Sequence, residues 1–121
     1  MSERRRFPAS VYGRGSEPDA RFTLANERTF LAWMRTSLAL IAGGVALEVL
    51  SLDLNPALRL TAAVLLVVVG TVSSILAWLG WRRTERALRE GRPLPSSPLG
   101  PVLGATVTIA GALLLIALLM R

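Results

Sequence analysis

Between Arg59 and Arg82 the chain runs for twenty-two residues, Leu60 to Trp81, without one charged side chain. As an α-helix rising 1.5 Å per residue this run is about 33 Å long, enough to cross the ~30 Å hydrocarbon core of a bilayer with some tilt. A helix apolar on every face has no way to hide that surface in a small soluble domain, so the run implies a membrane span, with Trp78 and Trp81 at its interfacial end. Two further stretches have the same character: the seventeen residues between Arg35 and Asp53, broken only by Glu48, and Val102 to Met120, which Pro101 opens. The expected fold class is all-α, an integral membrane three-helix bundle with an amphipathic N-terminal extension of helix one. Its spans fall at about 36–52, 60–81 and 101–120. With 121 residues and a mean hydropathy of +0.50, the chain has no room for a second, soluble domain.

Residues 1–18 carry Arg, Ser, Gly and Pro without apolar periodicity and are expected to form a flexible, arginine-rich arm, leaving 19–121 as the membrane domain. That arm lacks the apolar core and small-residue cleavage site of a signal peptide, so the first span is expected to direct insertion. Asp19 or Thr23 is the candidate cap of the first helix. Asn55-Pro56 is a turn signal with proline suited to the first turn of the next helix. The second helix is expected to continue past the membrane through RRTERALREG, with Glu85 and Arg89, and Arg86 and Glu90, as opposite-charge pairs one turn apart. Gly91, Pro93, Pro95 and Pro98 then break it.

All fourteen basic residues are arginine. Seven precede the first span (Arg4, Arg5, Arg6, Arg14, Arg21, Arg28, Arg35), five lie between the second and third (Arg82, Arg83, Arg86, Arg89, Arg92), and Arg59 and Arg121 fall on the other side. Because positively charged loops stay in the cytoplasm, twelve against two predicts a cytoplasmic N-terminus and an external C-terminus. The same topology accounts for the basic residues without specific nucleic-acid binding. Histidine and cysteine are absent, which removes the usual zinc ligands, any disulfide framework and the nucleophile or base of most hydrolases. With no clustered carboxylates either, neither an enzyme nor a cofactor is expected.

Ahead of the first span, Arg21, Ala25, Arg28, Ala32 and Arg35 share one helical face, while Phe30, Trp33 and Met34 occupy the other. One reading is an interfacial helix with its arginines toward anionic lipid phosphates. The other sets Arg21, Arg28 and Arg35, seven residues apart, along the mouth of an oligomer as an anion-binding stripe.

The string Ala25-Asn26-Glu27-Arg28-Thr29-Phe30-Leu31, with Trp33, resembles the signature of the YidH-like family, known as domain of unknown function 202, whose three-span layout extends from about Arg21 to the C-terminus. It is also similar to the membrane domain of the vacuolar transporter chaperone complex. That second resemblance implies a polyphosphate-conducting oligomer with basic residues along its pore, Arg28 in the shared motif and Arg21 at a basic position. Arg35 departs from that branch and no polymerase sequence is attached, so polyphosphate synthesis is not implied. For bacterial members the resemblance implies a bacterial inner (plasma) membrane location.

Within the motif Asn26 and Glu27 are polar groups near the start of the membrane, and Glu27 either pairs an arginine of a neighbouring helix or subunit or stands solvated. Glu48 lies near the outer end of span one, either functional or within snorkelling reach of headgroups, with Arg59 as its candidate partner in an ion pair. Ala39 and Gly43, Gly70 and Ser74, and Gly100 and Gly104 are four apart, with Gly111 beyond, spacings that let helices approach closely. Three helices cannot enclose a sizeable polar pathway, so any pore needs a homo-oligomer. The competing expectation is an accessory or scaffold subunit whose arm and Arg82–Arg92 loop dock acidic lipid or a partner membrane protein.

Overall fold

A computed structural model describes residues 20–94 and 99–121. The expected arm, the candidate cap Asp19, Pro95 and Pro98 lie outside the described residues. The chain is all-helical there: α1 spans Ala20–Val49, α2 Pro56–Glu90 and α3 Leu99–Leu119, each long and apolar enough to cross a membrane.

Local chemistry sets most of the boundaries. Thr23 is inside α1, so it is not the cap. The helix stops at Val49, ahead of the expected end near residue 52, where Ser51 adopts a positive φ of 48° and turns its N–H back to the Glu48 carbonyl. The Asn55 side chain caps α2, accepting from the amides of Ala57 and Leu58 at 3.1 and 3.3 Å, with Pro56 in the first turn. At the far end Gly91 takes the left-handed conformation, φ 68°, and the amides of Gly91 and Arg92 both fold back to the Ala87 carbonyl.

α1 and α3 each pack on α2 and their backbones do not approach one another, so α2 is the middle of an open layer. The antiparallel α1–α2 register is sharply defined because two glycines bring the backbones together. Gly44 lies against Ala63, Leu66 and Val67, and Gly70 against Ser37, Leu40 and Ile41. Of the small residues suggested by spacing, Gly70 makes such an approach, whereas among the described residues a Cβ built at Gly43 would meet only Leu66, at 4.0 Å, and its neighbour Gly44 is the close contact. Among the described residues nothing lies within 4 Å of a Cβ built at Gly100, Gly104 or Gly111. Only a fifth to a third of each apolar span is buried within the chain, leaving the remainder for lipid or other protein.

Candidate functional site

The motif of α1 meets the end of α2 in a buried polar junction. Asn26, 8 % exposed, donates through its amide nitrogen to Glu85 Oε1 and to the Trp81 carbonyl, each at 3.2 Å. Beside it the Trp81 indole N–H donates to Glu27 Oε1 at 2.9 Å. Trp81 stacks on Trp78 with centroids 5.2 Å apart, and Phe30 approaches Trp78 edge-on at 6.3 Å. Within the described residues of this chain Glu27 therefore has an indole for a partner rather than an arginine of a neighbouring helix. Amide, carboxylate and indole dipoles hold the two helices in one register, since a slip of a turn would leave the Glu85 carboxylate buried without its donor.

Glu85 is only 1 % exposed, and nothing in its own helix marks it as a junction residue: there it reads as the partner of Arg89. Neither expected α2 pair forms among the described residues. Glu85 turns to Asn26, and Glu90 pairs Arg92 at 2.7 Å, because the turn at Gly91 swings Arg92 back over the helix end. The signal that could expose this role is the complementary one: a carboxylate in α2 and an amide in α1, each on the apolar side of its helix.

The three arginines of the α1 stripe are exposed. The levels of two follow from the register. Asn26 meets Trp81, so Arg28 lies beside Leu79; Ser37 meets Gly70, so Arg35 lies beside Val72. Arg28 and Arg35 are each two residues, about 200°, from one of these buried contacts and hence on the side away from α2. Arg35 stands nine residues, about 14 Å along the axis, from the level of Trp81, against the uncharged stretch of α2. Only fourteen helical residues follow Arg35 in α1, about 21 Å, less than a ~30 Å hydrocarbon core. A span of α1 that crosses the full core therefore takes in residues before Arg35, which sets the Arg35 backbone level with the uncharged run of α2 rather than at the end of the span.

At the other end Arg59 Nε donates to Glu48 Oε1 at 3.2 Å and Arg59 Nη1 to the Leu52 carbonyl at 2.7 Å. Arg121 approaches Asp53 at 3.9 Å. These groups fasten the α1–α2 turn and lie far from the stripe. Beyond the tryptophans, Arg83, Arg86, Ala87, Arg92 and Pro93 line an open cleft of about 480 Å³. Among the described residues no group of three or more His, Cys, Asp or Glu could hold a metal ion.

The family model for the domain of unknown function DUF202 matches residues 21–87, taking in the stripe, the glycine contacts and the whole polar junction. The chain belongs to this family. This DUF202 protein is 43 % identical over 100 residues to the uncharacterised protein Rv2272 of Mycobacterium tuberculosis (strain ATCC 25618 / H37Rv), covering 82 % of each chain. It is 45 % identical over 82 residues to the inner membrane protein YidH of Escherichia coli (strain K12), covering 67 % of this chain and 71 % of the relative. No solved structure matches. The protein is thus a small integral membrane protein of the DUF202/YidH family.

Proposed function

We propose that this protein sits in a bacterial plasma membrane with its N-terminus in the cytoplasm, assembles with copies of itself, and binds or conducts a phosphate-rich anion through Arg21, Arg28 and Arg35. The observation that carries the reading is Arg35, exposed and level with Val72 in the uncharged run of α2. An ionised side chain at that depth is costly against lipid and normally faces a bundle interior or a polar cavity. Three helices in an open layer supply no such interior, and neighbouring copies would. Light scattering of the purified protein, corrected for detergent, is expected to give a defined homo-oligomer; a monomer removes the self-assembled pathway. In liposomes Arg28→Glu is expected to abolish anion binding or flux, and flux equal to wild type would remove Arg28 from that role.

A second reading is an accessory or scaffold subunit that docks acidic lipid or a partner membrane protein, and no enzymatic activity is proposed under either. It is favoured by α3, where a methyl carbon added at Gly100, Gly104 or Gly111 would meet no other atom of the described residues within 4 Å, so that another helix could approach closely there. Mild solubilisation should then recover a stoichiometric partner, and a preparation that is consistently a single species by mass would count against it.

A further inference from the structure

We infer that the cleft formed by Arg83, Arg86 and Arg92 is a binding site for a phosphate group, separate from the α1 stripe. The inference deepens the second reading, at the same Arg82–Arg92 segment, and does not depend on the first. Three guanidinium-bearing residues line one cavity of about 480 Å³, within the range of about 300–1,000 Å³ typical of small-ligand sites. The cavity is built by the helix terminus: after the left-handed Gly91 the chain reverses, carrying Arg92 and Pro93 back beside Arg83, Arg86 and Ala87.

Among the described residues, the acidic side chains near the cleft are already committed. Glu85 is turned away into the junction with Asn26, and Glu90 accepts from Arg92 Nε at 2.7 Å, which leaves the two terminal nitrogens of Arg92. No acidic residue lines the cavity among the described residues. The Ala87 carbonyl, which would otherwise repel an anion from the cleft, is occupied by the amides of Gly91 and Arg92.

Positive charge at this end of α2 has an ordinary explanation in membrane topology and in the helix dipole, which favours cations at a C-terminus. That explanation is satisfied by arginines pointing anywhere into solvent. It does not require three of them around one cavity, where they repel one another. A phosphate group relieves that repulsion, because it supplies compensating charge and several acceptor oxygens to planar guanidinium forks. The cleft begins two residues beyond Trp81, an interfacial residue type, so the group can arrive on a lipid headgroup or from solution.

The full-length protein in phosphatidylcholine nanodiscs, titrated calorimetrically with inorganic pyrophosphate, tests the soluble source. Native mass spectrometry of retained phosphatidic acid against phosphatidylcholine tests the lipid source. At least one probe should bind, and Arg86→Gln, or Arg83→Gln with Arg92→Gln, should weaken it roughly tenfold or more, as expected when a charged hydrogen bond is lost. Arg83 is exposed and Arg92 is beyond the helix, so the double variant keeps the test valid if Arg86→Gln misfolds. Binding of pyrophosphate alone identifies a soluble ligand, and of phosphatidic acid alone a headgroup. Wild type binding neither probe, or all cleft variants binding as wild type, overturns the inference. Loss in Arg28→Gln with full binding in the cleft variants also overturns it while leaving the α1 stripe reading intact.

Discussion

Replacing Gly70 with alanine is expected to lower the unfolding free energy by about 1–3 kcal/mol, the usual cost of overpacking a tight contact. A methyl carbon there would lie 2.8 Å from both Ile41 Cγ1 and the Ser37 carbonyl oxygen and 3.1 Å from Leu40 Cβ. Ile41 can rotate, but the carbonyl is backbone, so α1 and α2 must separate. Gly44→Ala should behave alike, with Ala63 O and Val67 Cγ2 both at 2.7 Å. The control is one residue away: Gly43→Ala meets only Leu66 Cδ1 at 4.0 Å and should leave stability nearly unchanged. Reversible unfolding in mixed micelles compares all three. Equal stability of Gly43→Ala and Gly44→Ala would show that the membrane-embedded protein populates a different α1–α2 register.

A loss of similar or greater size is expected for Asn26→Ala. The Glu85 carboxylate and the Trp81 carbonyl would lose the same donor inside a junction that excludes water, and a hydrogen bond to a charged group contributes about 1.5–3 kcal/mol. Asn26→Asp should be worse, because it sets a second carboxylate against Glu85. Removing both groups, as Asn26→Ala with Glu85→Ala, should cost less than the sum of the single changes, since neither leaves the other stranded. The same unfolding assay reads this double-mutant cycle, and strict additivity would mean that the two residues do not meet. These variants also separate two meanings of the family motif. Asn26 and Glu27 hold helices together, whereas Arg28 beside them points outward, so loss of folding should follow the first two and loss of anion binding the third.

The contrast within that motif shows where linear reasoning stops. Seven adjacent residues look like one functional unit in sequence, yet a helix turns them about its axis and divides them between a buried junction and an exposed face. Glu85 misleads for the same reason. The favoured spacing to Arg89 is a local property of α2, and it competes with an amide that only the antiparallel docking of α1 delivers. For Arg35 the difference is one of depth: a span measured along its own helix from the nearest charge puts the arginine at the rim. α1 ends early at Val49, and its glycine contacts set Arg35 beside Val72, well inside the uncharged run of α2.

The sequence by itself determined that the chain is helical, how many apolar helices it has, the Asn55-Pro56 start and the Gly91 end of the long second helix, and the concentration of arginine at one end of the layer. Those properties follow from charge-free length, from proline and glycine backbone restrictions, and from composition, which are local. Tertiary structure alone decided which glycines touch, which polar residues are buried together, how deep Arg35 lies, and that Arg83, Arg86 and Arg92 surround one cleft. Each of these depends on the relative height and rotation of two helices or on the path of the chain after a turn. Many registers bury similar apolar area in a membrane, so hydropathy cannot choose among them. The choice falls to a few close backbone contacts and to the cost of leaving a carboxylate without a partner.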